Sequence, residues 1–186
     1  MQSDFLGFNM QQQEGVVPAF DQLLKATTPS RIIELGTGFG GLTVFLGLYG
    51  YSNACEVSTY DNEPKDDEYK QLIAYLGVTR YTADLFSMAD EIAREIASPG
   101  KTILICDNGN KVLEFNNFAS ALKAGDVIMA HDYYRFMTQD PEILGPETCC
   151  EISYDRIERA CKDNEIEYFM GQVFTPELMW FCGQRQ

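Results

Sequence analysis

The feature that most constrains the fold is a regular alternation of short apolar runs with segments of helical periodicity. The strand-like runs are 31–35, 55–60, 79–83, 102–106, 126–131, 166–170 and 178–183, and the helix-like segments are 15–27, 41–50, 66–77, 87–97, 111–125 and 151–163. Strand and helix alternate five times before two strands close the chain, which favours parallel strands covered by helices on both faces. The pattern predicts an α/β fold: a doubly wound, Rossmann-like sheet whose first five strands are parallel.

The 186 residues are expected to form a single domain, because no repeat or flexible linker divides them. Residues 1–30 are predicted as an N-terminal cover and helix, 31–132 as a cofactor-binding core, and 151–186 as a C-terminal helix and strand pair. Between the last two, residues 133–150 show no periodicity and exceed an ordinary connection. They indicate a substrate loop or lid, or a contact in a homo-oligomer.

The charge balance argues against polyanionic partners. There are 14 Lys and Arg against 28 Asp and Glu, for a formal net charge of -14, which opposes nucleic acid and anionic bilayers. No apolar stretch approaches the ~20 residues of a membrane span, and the N-terminus lacks the features of a secretory signal. With six cysteines and no C-x-x-C, we expect reduced thiols and a cytoplasmic protein that does not bind membranes.

The segment GTGFGG, residues 36–41, follows the first predicted strand. Gly36, Gly38 and Gly41 satisfy the G-x-G-x-x-G pattern of dinucleotide-binding proteins. Gly36, Gly38 and Gly40, with Glu34 upstream, also resemble the first motif of S-adenosylmethionine-dependent methyltransferases. Glycines allow a tight turn and close approach of a ligand to the helix N-terminus. Alternatively, the segment is a tight turn that binds no ligand.

Acidic residues at the ends of the strands help to separate the two cofactors. Asp61, after the second strand, is suited to the hydroxyls of a ribose in either case, or is a solvated turn residue. Glu34 stands where dinucleotide sites usually carry an apolar residue, and a carboxylate there can face the ammonium of a methionine moiety. Asp84, after the third strand, can accept a hydrogen bond from an adenine amino group.

Together these motifs resemble those of the class I S-adenosylmethionine-dependent methyltransferases over roughly residues 31–132. The resemblance implies a seven-stranded sheet with an antiparallel last strand. It also implies a set of cofactor-binding residues: Glu34, Gly36, Thr37, Gly38, Gly40, Asp61, Asp84 and Asp107.

Asp107 follows the fourth predicted strand, and His131 and Asp132 follow the fifth. Oxygen and nitrogen ligands without a thiolate suit a hard divalent ion. Here the chain resembles the metal-dependent small-molecule O-methyltransferases, including the catechol and macrocin O-methyltransferases and the cephalosporin hydroxylase-like group. The resemblance implies Asp107, His131 and Asp132 as metal ligands. Because imidazole is a poorer ligand for Mg²⁺ than a carboxylate, Mn²⁺ or no metal remains open, as does a role of His131 as the base or in a purely structural pair.

The catalytic base also departs from the pattern of these enzymes. They place a Lys or His three residues after the acid, whereas this chain has Asn110 there and Lys111 one residue later. Lys111 is a candidate base if the loop turns it inward, and otherwise a solvated lysine. The predicted catalytic residues are therefore His131, Lys111 and Asp107.

These residues predict an S-adenosylmethionine-dependent methyltransferase, with Mg²⁺ or Mn²⁺ assisting O-methylation of a small hydroxylated metabolite. Two alternatives remain open at this point. One is an NAD(P)-dependent oxidoreductase, supported by Gly36, Gly38, Gly41 and Asp61. The other is a non-catalytic module that keeps the cofactor fold for binding.

Overall fold

The computed structural model describes residues 2–63, 65–134, 152–175 and 177–186. The strands are β1 (Gln2–Phe5), β2 (Phe8–Gln13), β3 (Arg31–Leu35), β4 (Glu56–Tyr60), β5 (Thr79–Tyr81), β6 (Thr102–Cys106), β7 (Val127–Ala130), β8 (Tyr133–Tyr134), β9 (Ile152–Ser153), β10 (Ile166–Tyr168) and β11 (Phe181–Arg185). The helices are α1 (Val16–Thr27), α2 (Gly41–Asn53), α3 (Asp67–Tyr75), α4 (Ala89–Ala97), α5 (Lys111–Phe118), α6 (Tyr154–Asp163) and α7 (Gly171–Phe174), with 3-10 turns at Leu85–Met88 and Ala119–Ala121.

The central sheet has seven strands in the order β10-β11-β7-β6-β3-β4-β5. Strands β3 to β7 are parallel, and β11 runs antiparallel to both β7 and β10. This confirms the predicted mostly parallel sheet with an antiparallel last strand. That last strand lies inside the sheet, between β7 and β10, and β10 forms the edge.

Helices cover both faces of the sheet, as predicted. Side chains alternate along each strand, so Ile103 and Ile105 of β6 pack with the α1–α3 side, whereas Leu104 and Cys106 pack with the α4–α6 side. Strand β3 is central, pairs along its whole length with β4 and β6, and is buried at every residue. Its carboxyl end therefore opens at the middle of the sheet edge, where ligands of doubly wound sheets bind.

The N-terminal cover is a hairpin of β1 and β2, which the sequence did not predict as strands. Its residues are mostly polar, yet burial alternates along β2: Met10 and Gln12 are buried, whereas Gln11 and Gln13 are exposed. The hairpin lies against α2, and a side chain at Gly41 would meet the Phe8 carbonyl at 2.6 Å. The polar segment thus packs on the glycine turn between β3 and α2.

Other boundaries differ modestly. The predicted helix 111–125 ends at Phe118 and continues as a 3-10 turn, and the predicted closing strand 178–183 is observed at Phe181–Arg185. Helix α7 was not predicted. The predicted loop 133–150 falls mostly outside the described residues, so its role and the proposed subdivision of the domain stay predictions. No helix in the described ranges is long and apolar enough to cross a membrane.

Candidate active site

The turn between β3 and α2 lies against the end of β6. Gly36, Gly38 and Gly40 all have left-handed φ angles, of 97°, 51° and 87°. A Cβ atom on Gly36 would lie 2.4 Å from the carbonyl oxygen of Asp107. Glycine at position 36 is thus required by both its φ angle and the close approach of the two strand ends.

The Asp61 carboxylate closes this turn. Its Oδ2 atom accepts hydrogen bonds from the amides of Thr37 at 3.0 Å and Gly38 at 3.2 Å, and it pairs with the Lys65 ammonium at 3.2 Å. Its Oδ1 atom accepts from the amide of Glu63 at 2.7 Å. Asp61 therefore lies at the turn and accepts hydrogen bonds from two of the amides that a phosphate would otherwise use, and its predicted contact with a ribose stays a prediction.

Glu34 is a buried carboxyl group with one unsatisfied oxygen. Oε2 accepts hydrogen bonds from the hydroxyls of Thr43 at 2.5 Å and Thr59 at 2.7 Å. Oε1 is buried and has no partner among the described residues. Burial, reinforced by the charges of Asp107 and Asp61 and opposed by the two hydroxyls, raises the pKa of Glu34 to about 8. A cationic ligand group would satisfy this oxygen.

Two adjoining cavities open at this edge of the sheet. One, of about 630 Å³, is lined by the turn, Asp61, Lys65 and Tyr69. The other, of about 430 Å³, is lined by Glu34, His131 and Asp132 among others. Both are bordered by Gln11, Gly36, Gly38, Asp107 and Lys111. Together they have the size of a site for a cofactor and a small substrate.

Asp84 is not part of the described lining of either cavity. It is exposed, and its Oδ1 atom accepts the Phe86 amide at 3.0 Å at the start of the turn Leu85–Met88. The structure thus gives Asp84 a capping role, and its predicted contact with adenine stays a prediction.

Asp107, His131 and Asp132 converge at the ends of β6 and β7. His131 Nδ1 lies 3.0 Å from Asp107 Oδ1 and 3.5 Å from Asp132 Oδ1. One ligand atom from each residue falls within 4.8 Å of the others. Asp132 has a left-handed φ of 55°. The cluster predicted from the sequence is therefore formed, and its donor set and spacing fit a divalent ion.

His131 is held between this cluster and Trp180. The rings of His131 and Trp180 lie 4.7 Å apart, and Nε2 of His131 is buried without a partner in the described part of the chain. Burial lowers the pKa of His131, but the charge of Asp107, the hydrogen bond to it and the charge of Asp132 outweigh burial. The pKa is therefore raised from its ordinary 6.5.

Lys111 turns inward, so it is not the solvated lysine that the sequence also allowed, whereas its role as the base stays a prediction. Its Nζ atom lies 3.1 Å from Asp132 Oδ2 and 3.8 Å from Asp107 Oδ1, and donates to the Asn108 carbonyl at 2.9 Å. The side chain is 7% exposed. Its ammonium thus neutralises the carboxylates that were predicted to bind a metal.

Glu114 shapes the loop that carries Asp107 and Lys111, and sequence reasoning missed it. Its carboxyl oxygens accept the amides of Asn108 at 3.3 Å and Asn110 at 3.1 Å. Burial, opposed by these hydrogen bonds, raises the pKa of Glu114 to about 7. Glu114 lies four residues after the N-cap Asn110, one position beyond the spacing of a capping box, so no standard pattern marks it in the sequence.

Gln12 was also missed. Its Nε2 atom donates to Asp107 Oδ2 at 2.8 Å, and its Oε1 atom accepts from Trp180 Nε1 at 3.1 Å. Nothing in the run of three glutamines distinguishes it beyond the alternation of β2. The hairpin thus supplies one wall of the site.

The sequence matches no family model and no curated protein. Solved structures are similar, however. A CmcI structure with Mg-SAM is 17% identical, with 99% of this chain and 77% of that chain covered and a TM-score of 0.68. A CmcI structure with SAH is 17% identical, with 98% and 82% covered and a TM-score of 0.63. A Staphylococcus aureus protein described as a caffeoyl-CoA O-methyltransferase is 10% identical, with 92% and 83% covered and a TM-score of 0.58.

The chain has the methyltransferase fold. The methyltransferase fold accounts for the strand order, the reversed β11 and the position of the glycine turn at the centre of the sheet. The fold that the resemblance implied is confirmed, whereas the predicted roles of individual side chains stay predictions.

Proposed function

We propose that this protein transfers a methyl group from S-adenosylmethionine to a hydroxyl group of a small molecule. The observation that carries the proposal is the buried, unpartnered oxygen of Glu34 beside the glycine turn. A site with such an oxygen favours a cofactor that carries positive charge. S-adenosylmethionine, when bound, supplies a methyl group on a positively charged sulfur next to an ammonium group.

The same turn argues against a dinucleotide cofactor. The amides of Thr37 and Gly38 already donate to Asp61, so they are not directed at a pyrophosphate. The cavity walls also carry the carboxyl groups of Glu34, Asp107 and Asp132, which oppose a polyanionic ligand. An NAD(P)-dependent oxidoreductase is therefore not favoured.

The acceptor is proposed to bind beside Asp107, His131 and Asp132. These residues would hold Mg²⁺ or Mn²⁺, and a bound divalent ion would supply a Lewis acid for substrate oxygens. The acidic lining favours a neutral polyol, sugar or phenol over an anion. Asp107 and Asp132 then serve to orient the acceptor hydroxyl and to keep competing anions away.

Where His131 is not a metal ligand, its neutral imidazole is proposed to accept the proton of that hydroxyl, and otherwise the neutral amine of Lys111 is proposed to do so. In a neutral imidazole the hydrogen bond to Asp107 places the proton on Nδ1 and the lone pair on Nε2. Asp107 stabilises the imidazolium that forms, and Asp132 does the same for the ammonium of Lys111. Proton transfer of this kind contributes roughly 10² to 10⁴ to a rate.

The cellular setting is proposed from the sequence. Within the described residues Cys55, Cys106, Cys161 and Cys182 form no disulfide, which supports a reducing compartment such as the cytoplasm. A small-molecule partner follows from the size of the cavities. That the protein does not bind nucleic acid stays a prediction, and so does the formation of a homo-oligomer.

Calorimetric titration tests the cofactor. The protein should bind S-adenosylmethionine and S-adenosylhomocysteine but not NADH. Glu34→Gln should lower the affinity for S-adenosylmethionine by roughly tenfold or more, because it removes a charge-assisted hydrogen bond to the cofactor. The exposed Glu68→Gln, which removes the same charge, should leave affinity unchanged. Binding of NADH without binding of S-adenosylmethionine would refute the proposal.

Turnover tests the reaction. Methyl transfer should be measured with a panel of catechols, sugars and hydroxylated metabolites, with and without Mg²⁺ or Mn²⁺. Asp107→Ala should abolish it, and full activity in that variant would remove the roles proposed for the cluster. Cofactor binding with no turnover on a broad panel would favour the non-catalytic binding module instead.

A further inference from the structure

The carboxylates predicted to hold a metal already bind a cation of the chain itself. The Lys111 ammonium lies 3.1 Å from Asp132 Oδ2 and 3.8 Å from Asp107 Oδ1. Its side chain is 7% exposed, and the Asn108 carbonyl fixes it from a third direction at 2.9 Å. The lysine is therefore a built-in part of the acidic cluster rather than a mobile surface group.

We infer that Lys111 and a divalent cation compete for Asp107 and Asp132, so that metal binds only when the lysine ammonium withdraws from this pair. The inference rests on the proposed metal-assisted function. It goes beyond that function by stating that the position of the Lys111 ammonium determines the affinity of the two carboxylates for a divalent metal ion.

The competition follows from charge and from the number of available oxygens. Asp107 Oδ2 is bonded to Gln12, and Asp107 Oδ1 and Asp132 Oδ1 both face His131 Nδ1. A metal bound to Asp107 Oδ1 would share that carboxylate with an ammonium 3.8 Å away. Two cations that bind the same pair of carboxylates repel each other strongly in a partly buried site. Withdrawal of Lys111 relieves the repulsion and frees Asp132 Oδ2.

The two cavities provide space into which the Lys111 side chain can move. Lys111 lines both the cavity that contains the cofactor turn and the one that contains His131. An ammonium that leaves the carboxylates therefore moves into the space where substrate is proposed to bind. Metal binding and the availability of Lys111 to a substrate hydroxyl would in this way be linked.

Binding of Mn²⁺ alone tests the inference. Free Mn²⁺ in solution, counted by electron paramagnetic resonance, gives a dissociation constant without substrate or turnover. Lys111→Met should bind Mn²⁺ more tightly than the unaltered protein, by about tenfold or more, because it removes a like charge close to the ion. Lys111→Arg keeps the charge and should bind no more tightly than the unaltered protein.

Lys65→Met is the matched control. Lys65 has a side-chain exposure of 11%, and it pairs with Asp61 in the wall of the neighbouring cavity. The Lys65→Met substitution removes one positive charge from a similarly buried position but does not touch the pairing of Asp107 and Asp132. The Mn²⁺ affinity of this variant should therefore stay near that of the unaltered protein. Equal tightening by Lys65→Met would mean that only net charge matters and would overturn the inference.

Equal Mn²⁺ affinity in Lys111→Met and the unaltered protein would also overturn it, as would a lack of Mn²⁺ binding by both. If Lys111→Met is too unstable for the affinity measurement, the increase in unfolding temperature on addition of Mn²⁺ is measured instead. A larger increase than in the unaltered protein supports competition. An equal or smaller increase contradicts it. S-adenosylmethionine titration without metal is independent of these results and separately decides whether the proposed cofactor binds.

Discussion

Gln12 donates a hydrogen bond to Asp107 at 2.8 Å, across 95 positions of the sequence. The glutamine is 2% exposed, so this bond and the one from Trp180 to its other end are shielded from water. The N-terminal hairpin therefore orients a carboxylate at the centre of the candidate site. Part of the segment predicted as an N-terminal cover thus forms one wall of the candidate site.

Gln12→Ala should destabilise the protein by about 1 to 3 kcal/mol, because it leaves the buried Trp180 Nε1 and Asp107 Oδ2 each without a partner. Urea unfolding followed by the fluorescence of the single tryptophan measures this. Gln13→Ala, an exposed glutamine on the other face of the same strand, should change stability by less than ~0.5 kcal/mol. Similar losses in both variants would argue against a specific bridge.

Glu34 should make stability depend on pH. Its folded pKa of about 8 lies above the ordinary 4.5, so folding favours the protonated form. The stability it contributes is complete below pH 4.5 and is lost as pH rises to 8. Glu34→Gln should therefore match the unaltered protein at pH 4.5 and exceed it in stability by on the order of 5 kcal/mol at pH 9. Glu114 titrates in both proteins and cancels, and parallel pH profiles would contradict the assignment.

Cofactor binding should release a proton. At pH 7 the Glu34 carboxyl, with its pKa of about 8, is mostly protonated, and an ammonium or sulfonium beside it favours the carboxylate. Titrations of S-adenosylmethionine in buffers with different ionisation enthalpies should give a release approaching one proton. Glu34→Gln should reduce the release, whereas unchanged release in that variant would place the cation elsewhere.

Gly36→Ala should prevent correct folding or destabilise the protein by more than ~3 kcal/mol, because the new methyl group meets the Asp107 backbone at 2.4 Å. Gly77→Ala is the matched control: Gly77 also has a left-handed φ, of 76°, but nothing lies within 4 Å of its Cβ position. It should lose only the roughly 1 to 2 kcal/mol of the backbone strain. Thermal unfolding compares the two, and equal losses would show that φ alone accounts for Gly36.

The central strands were predictable because their environment is uniform. Residues of β3 and β6 are buried on both faces, so apolar runs bounded by turn residues match them residue for residue, at 31–35 and 102–106. The acids and the histidine at the strand ends were predictable for a related reason, since parallel strands bring their carboxyl ends to one edge. This logic located Glu34, Asp61, Asp107, His131 and Asp132.

The remaining features depend on contacts that have no local signature. The direction of Lys111 follows from a loop held by Glu114 through the amides of Asn108 and Asn110. The β1–β2 hairpin packs Phe5, Phe8 and Met10 against the core, but these three residues stand among polar ones and form no continuous apolar run in the sequence. Asp84 follows a strand as expected, yet the turn it caps keeps its side chain at the surface.

Asp132 meets two separate requirements: its backbone adopts a left-handed conformation, and its carboxylate belongs to the acidic cluster. Its φ of 55° lies in the region that glycine, asparagine and aspartate adopt most readily. A library at this position sorted for folded protein should retain Gly and Asn beside Asp, whereas one sorted for Mn²⁺ retention should retain Asp. Loss of the carboxylate therefore adds little backbone strain, but it leaves the buried Lys111 ammonium with one carboxylate fewer. The cost of a substitution by Asn or Gly at this position therefore falls on the ion pair with Lys111 rather than on the backbone of the sheet.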